Sequence, residues 1–241
     1  ESSPPDMRFT AISAGKNRTC GLDEDGLVTC WPELWETTEP PEGTRFSQIS
    51  LGSGALCGVT LEEELACFRN EDRTREVHTP PEGAFREVSV DYGHGCALTA
   101  ADELECWGSD LKSDSAHIAI GGQFQTISAG YYYNCAVRST GSVVCWGMDR
   151  GSNLNAPEGH FVDVATGYYY SCAIDADGEL DCWGELRDYA DNYTPSGHYA
   201  QISIGYGTAC AVELSGDITC WGIDPHGEVS NIPERYGGSS E

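Results

Sequence analysis

The sequence predicts an all-β protein, a β-propeller of six blades with one intra-blade disulfide in each repeat. Three observations carry this reading: cysteines recurring in six evenly spaced pairs, short strand-like runs around every pair, and the absence of amphipathic helix periodicity. A period of about 38 residues is the signature of a repeat architecture.

The first cysteine of each pair is Cys20, Cys57, Cys96, Cys135, Cys172 or Cys210, at steps of 37, 39, 39, 37 and 38 residues. The second is Cys30, Cys67, Cys106, Cys145, Cys182 or Cys220, always ten residues on, which accounts for all twelve cysteines. Each repeat opens on an aromatic residue (Phe9, Phe46, Phe85, Phe124, Phe161, Tyr199), followed three positions later by Ile12, Ile49, Val88, Ile127, Val164 or Ile202. Gly15, Gly52, Gly130, Gly167 and Gly205 end this run, with Asp91 in the third repeat. After the second cysteine stands Trp31, Phe68, Trp107, Trp146, Trp183 or Trp221, and proline turns such as Pro81-Glu82-Gly83 and Pro157-Glu158-Gly159 precede the next aromatic. Runs rich in β-branched and aromatic residues and bounded by Gly and Pro read as strands.

The cysteine spacing sets a hairpin. Gly26, Gly141, Gly178 and Gly216 fall one residue past the midpoint of their pairs, the αL position of a three-residue loop built on a type I turn. With Glu24-Asp25-Gly26 as that loop and Asp23 and Leu27 as its closing pair, Cys20 lies opposite Cys30. The cysteines then occupy a non-hydrogen-bonded position, where Cα atoms approach to about 4.5 Å, within disulfide reach. The predicted bridges are Cys20–Cys30, Cys57–Cys67, Cys96–Cys106, Cys135–Cys145, Cys172–Cys182 and Cys210–Cys220. Zinc is the rival explanation, but a tetrahedral site wants short Cys-x2-4-Cys knuckles and none occurs. Disulfides imply an oxidising compartment, so a secreted or cell-surface protein is expected.

Both alternating faces of the hairpin are apolar, with Cys135, Val137, Val143 and Cys145 on one and Ala136 and Val144 on the other. A sheet buried on both sides suits blades stacked face to face in a ring; a solenoid of 38-residue turns is the structural alternative. The repeats are placed at 9–45, 46–84, 85–123, 124–160, 161–198 and 199–236 in one propeller over 7–236, flanked by a linker at 1–6 and a tail at 237–241.

A strand ending Ile-Ser-x-Gly, a short turn, Cys-Ala-Val, a Gly hairpin, Cys-Trp-Gly and a Pro-x-Gly turn together resemble the regulator of chromosome condensation repeat family. The likeness is greatest to its bacterial secreted branch, which has a cysteine pair in each repeat. It covers residues 9 to 233. It implies a propeller, and because the best-known members have seven blades, seven is the alternative to six. Closure is expected to join Glu228 to Ile232 with strands near the N-terminus. The family's founder docks on a small GTPase and chromatin, a role that acidity and disulfides keep from this chain. The propeller-type β-lactamase inhibitor protein, which presents loop aromatics from one face to an enzyme, is similar to it in function by analogy alone.

Function is expected where the repeats differ, and the turn between the inner strand and the first cysteine is the clearest such place. Its first two positions read Lys16-Asn17, Ser53-Gly54, Tyr92-Gly93, Tyr131-Tyr132, Tyr168-Tyr169 and Tyr206-Gly207, and its third Arg18, Ala55, His94, Tyr133, Tyr170 and Thr208. The candidate binding residues are Tyr92, His94, Tyr131, Tyr132, Tyr133, Tyr168, Tyr169, Tyr170, Tyr206, Lys16 and Arg18, all emerging on one face by repeat equivalence. Tyrosine supplies large amphipathic contact area at low entropic cost. The competing structural reading is that these rings pack across the mouth of the channel, with Tyr133 and Tyr170 partly structural. An uneven crescent favours one extended partner, a protein surface, over a lectin with equal pockets in every blade; polysaccharide binding is the runner-up.

Thirteen Lys and Arg stand against 39 Asp and Glu, a formal charge of −26. Nucleic acid is an unfavoured partner, since binding it needs a cationic footprint, and no run of apolar residues is long enough for a transmembrane helix. A monomer is expected. No cofactor, metal or catalytic residue is assigned. Asp23-Glu24-Asp25-Gly26 and Asp175-Ala176-Asp177-Gly178 lack the ligand spacing of an EF-hand, and no nucleophile elbow, phosphate loop or dinucleotide fingerprint occurs. Carboxylates are so numerous that a glycosidase-like pair near a cleft stays open as a reading, while the repeat pattern favours a non-enzymatic binding module.

Overall fold

The computed structural model describes residues 8–15, 19–31, 40–53, 55–69, 79–108, 120–185, 194–205 and 207–222. Every element in them is a strand or turn, and the strands form six separate three-stranded antiparallel sheets, one per repeat. Blade one is β1 (Ala11–Ala14), β2 (Thr19–Leu22) and β3 (Val28–Trp31), and blade two is β4 (Phe46–Leu51), β5 (Ala55–Thr60) and β6 (Leu65–Arg69). Blade three is β7 (Phe85–Asp91), β8 (His94–Thr99) and β9 (Leu104–Gly108), and blade four is β10 (Phe124–Ala129), β11 (Tyr133–Arg138) and β12 (Val143–Gly147). Blade five is β13 (Phe161–Thr166), β14 (Tyr170–Asp175) and β15 (Leu180–Gly184), and blade six is β16 (Tyr199–Ile204), β17 (Thr208–Glu213) and β18 (Ile218–Gly222).

Within each blade the cysteines are paired as their spacing requires. Cys20 sits directly opposite Cys30, and likewise through Cys210 opposite Cys220, with Cα atoms 4.0–4.1 Å apart and all six disulfides formed. The loop beside them is the expected turn: Asp23 and Leu27 close it through Asp23 N–H to the Leu27 carbonyl, and Gly26 has φ +79°. Repeats two and three reach the same left-handed conformation without glycine, with Glu63 at φ 65° and Asp102 at φ 63°. Asp23 Oδ1 accepts from the Asp25 and Leu27 amides, and Asp175 Oδ1 from Asp177 and Glu179. Those carboxylates thus serve the turn, where Asp-Gly hairpin chemistry places them.

The core lies between blades rather than inside them. Phe46 packs on the Cys20–Cys30 hairpin of the preceding blade, Phe85 on Cys57 and Cys67, Phe124 on Cys96 and Cys106, Phe161 on Cys135 and Cys145, and Tyr199 on Cys172 and Cys182. Each burial of such a ring contributes about 1.5–3 kcal/mol. Hydrogen bonds fix the same junctions. The amides of Phe46, Phe85, Phe124, Phe161 and Tyr199 donate to the turn carbonyls of Gly26, Glu63, Asp102, Gly141 and Gly178 at 2.7–2.9 Å. Lower on the inner strands, Ser13, Ser50, Ser89 and Ser128 each accept from an amide of the next blade, Leu51, Val90, Ala129 and Thr166, at 2.8–3.0 Å.

A register shift follows the opening aromatic in blades two to six. Such bulges re-aim the neighbouring side chain. Here they turn the residue two beyond the aromatic toward the following blade, where the Gln48 amide exchanges bonds with the Val88 backbone and Glu87 accepts from Thr126 Oγ1 and Ile127 N. The segment Glu228 to Ile232, expected to close the ring, lies outside the described residues, as do 1–6 and 237–241. Among the described residues no helix is long and apolar enough to cross a membrane.

Candidate functional site

The turns that follow the inner strands meet on one face because the backbone before each is packed against its neighbour. A Cβ on Gly130 would lie 2.7 Å from the Gly167 carbonyl oxygen, and one on Gly167 2.8 Å from that of Gly205, so only glycine permits these blades to approach. The turn residues just beyond are thereby brought side by side.

Five tyrosines form a continuous shelf across blades three, four and five. Tyr92 stacks on Tyr131 with centroids 4.3 Å apart, Tyr131 reaches Tyr168 at 4.4 Å, and Tyr132 and Tyr169 stand edge-on to Tyr131 and Tyr168 at 4.5 and 4.1 Å. All five are half-buried. The shelf is tied from behind: the Tyr132 carbonyl accepts from the Met148 amide and the Tyr169 carbonyl from the Glu185 amide, so the loops leaving β12 and β15 hold it. Burial, the Tyr92 and Tyr132 hydroxyls and the charge of a neighbouring phenolate all push the Tyr131 hydroxyl above its ordinary pKa, so it remains neutral.

His94, Tyr133 and Tyr170, counted among the contact residues with the two tyrosines read as partly structural, are all turned inward. Each is at most 2 % exposed. They occupy the third turn position, which starts the middle strand, and reach toward the next blade. His94 Nε2 pairs with Asn134 Oδ1 at 2.9 Å, and Tyr133 Oη donates to the Tyr170 carbonyl while lying 2.9 Å from Ser171 Oγ. The Tyr170 ring packs in the cluster that holds Ala209, the equivalent of Asn134 and Ser171, and its hydroxyl has no partner among the described residues. Burial raises the pKa of both hydroxyls. These three residues mortar the blades beneath the shelf. Lys16, Arg18 and Tyr206 lie outside the described residues.

One residue of the face has no signal in the repeat. Arg150 lies in the loop between β12 and β13 with its guanidinium 5.0 Å from the Tyr132 ring centre, a cation–π geometry. The same loop places the Asn153 carbonyl to accept from Trp183 Nε1 at 2.9 Å. These positions are unique to one linker, so comparing repeats cannot find them.

Away from the shelf, Asp163 carries the bulge position of blade five. Burial pushes its pKa up to about 6, with bonds from the Val164 and Ile202 amides opposing and the charge of Glu87 adding. Raised above its unfolded value, this carboxyl favours folding fully below about pH 4 and loses that contribution as pH rises through about 6. Asp163→Asn is therefore expected to raise stability at pH 7.5 by up to about 3 kcal/mol and to flatten the pH profile between 4 and 6.5. Thermal melts of both proteins across that interval check it; parallel profiles contradict it.

Disulfide-closed, three-stranded blades packed side by side around their inner strands define the class as a β-propeller. The model of the regulator of chromosome condensation (RCC1) repeat matches residues 124–152 and 161–185, which span blades four and five. Among solved structures the chain is similar to the CRINKLY WD40 ectodomain of the Arabidopsis thaliana receptor kinase ACR4, with TM-score 0.76 and 23% identity over 95% of this chain and 84% of that one. The ectodomain of the Physcomitrella patens receptor kinase CR4 gives 0.74 and 22% over 88% and 63%, and Prp20p from Saccharomyces cerevisiae 0.70 and 15% over 89% and 72%. At these identities the likeness is one of fold. No curated protein matches the sequence significantly.

Proposed function

We propose that this propeller is a non-enzymatic binding module of an oxidising, extracellular compartment, and that it engages a protein partner through the tyrosine shelf. The single observation behind this reading is the run of five half-buried rings, Tyr92, Tyr131, Tyr132, Tyr168 and Tyr169, held on one face by backbone ties. Rings fixed before binding lose little entropy on contact. The six disulfides support the compartment, and two similar solved structures are receptor-kinase ectodomains. A protein surface is favoured over a glycan because Tyr92 and Tyr131 are stacked face to face at 4.3 Å, which takes up ring faces that sugar stacking would need.

The test compares the wild-type chain with Tyr131→Ala/Tyr132→Ala/Tyr168→Ala/Tyr169→Ala, both immobilised. Secreted proteins are passed over them, and both are applied to a glycan array. The expected result is a protein retained by wild type and weakened at least 100-fold by the variant, in line with loss of an aromatic hot spot worth more than about 2 kcal/mol. Retention unchanged in a folded variant would remove the site, and glycan signals without protein capture would reassign the ligand.

A further inference from the structure

Carboxylate side chains outnumber lysines and arginines by 39 to 13, and the arginines set between blades are spent on oxygen. Arg45 donates to the Asp25 carbonyl and Arg138 to the Gly121 carbonyl, while Arg86 donates to Asp102 Oδ1 and to the carbonyls of Phe124 and Gln125. Arg150, beside the tyrosine shelf, differs. Its Nε donates to Met148 Sδ at 3.1 Å and its guanidinium lies over the Tyr132 ring, but among the described residues no oxygen meets its terminal nitrogens. Carboxylates stand close by: Asp149 is its chain neighbour, and a Cβ on Gly151 would meet the Glu185 side chain at 2.6 Å. Neither pairs with it, since the ion pairs among the described residues are those of Arg86.

The loop holds this side chain in place. Asn153, 1 % exposed, accepts from the Arg150 amide at 2.9 Å through Oδ1 and donates through Nδ2 to the Met148 carbonyl, while its own carbonyl receives Trp183 Nε1. Gly151 and Ser152 have φ of 65° and 68°, a left-handed conformation that is unfavourable for serine and persists where the surroundings enforce it. The Met148 amide bonds the Tyr132 carbonyl, so loop and shelf are tied together.

A half-buried guanidinium fixed in this way, without an oxygen of its own, is set to receive one from outside. Arginine presents its N–H groups as a planar fork that matches the two oxygens of a carboxylate. A polyanion does not suit the place, because one cation flanked by Asp149 and Glu185 cannot offset several negative charges. A single carboxylate does. Resting on the reading of the shelf as a protein-binding surface, we infer that the partner sets an aspartate or glutamate side chain against Arg150, and that this pair decides which partner the shelf accepts.

The test uses binders of defined design rather than natural ones. A displayed library of a small helical scaffold with a randomised face is selected on the intact wild-type chain and depleted on Tyr131→Ala/Tyr132→Ala/Tyr168→Ala/Tyr169→Ala, which leaves shelf-dependent clones. Each family of related clones is expected to hold one position invariantly acidic, and to bind Arg150→Glu about 100-fold and Arg150→Lys about tenfold more weakly, with thermal melts showing both variants folded. Selection repeated on Arg150→Glu is expected to return lysine or arginine at that position. Changing the clone's carboxylate to its amide, which leaves this chain untouched, is expected to weaken binding to wild type about tenfold. Shelf-dependent clones without an invariant acidic position, or indifferent to its amide, overturn the inference and leave the shelf standing. If depletion removes every clone, the shelf itself fails and the inference with it.

Discussion

Reducing all six disulfides is expected to unfold the protein at room temperature without denaturant. A bridge closing a ring of ten residues removes chain entropy from the unfolded state worth about 2.5–3 kcal/mol. Six of them exceed the 5–15 kcal/mol by which domains are typically stable. Without them, the blades would rely on inter-blade packing alone, and the aromatic of each junction rests on the very disulfide being opened, as Phe161 does on Cys135 and Cys145. Removing a single bridge by Cys135→Ser with Cys145→Ser is expected to cost about 3 kcal/mol and leave the protein folded. Near-UV circular dichroism after reduction, with a thiol titration showing twelve free cysteines, is the measurement. A native spectrum at full reduction would show that packing alone sustains the blades.

The features that repeat were legible in the sequence, because a residue required at every junction recurs at every junction. The cysteine pairs, the opening aromatics and the loop with Asp23, Gly26 and Leu27 are of this kind. Glu63 and Asp102 occupy the loop position that glycine takes in the other repeats, although neither residue type announces a φ near +65°. The division within the tyrosine turns was legible only in part, since the sequence reads Tyr133 and Tyr170 as partly structural while still counting them with His94 among the contact residues. Tyr132 and Tyr133 are neighbours of one type, yet one lies on the shelf and the other is 1 % exposed. Only the start of β11 at Tyr133 decides this, since alternate residues of a strand point to opposite sides. The carboxylates of Glu87 and Asp163 were equally hidden, because a one-residue bulge before each sets where it points. Arg150 belongs to a linker without counterparts, so periodicity carries no information about it.

The third turn position offers a graded test of the inward tyrosines, independent of binding. Tyr133 is fully buried with its hydroxyl satisfied by Ser171 Oγ and the Tyr170 carbonyl, so Tyr133→Ala is expected to cost about 3–5 kcal/mol. Tyr133→Phe keeps the ring and removes the hydroxyl from Ser171 Oγ and from the Tyr170 carbonyl, which retains the Gly167 amide, an expected cost of about 0.5–1.5 kcal/mol. Tyr170 is equally buried, but Ala209 stands where Asn134 and Ser171 provide a polar partner in the preceding junctions. Its hydroxyl has nothing to lose, so Tyr170→Phe is expected to be neutral or slightly stabilising, and Ala209→Ser to stabilise by about 1 kcal/mol by supplying an oxygen. Denaturant unfolding of the four variants measures this order. If Tyr170→Phe proves as costly as Tyr133→Phe, the two hydroxyls are equivalent and the account of the junctions fails. If the order holds while each folded variant keeps the partner captured by wild type, stability and recognition reside in adjacent tyrosines of the same turn, one facing the next blade and the other facing out.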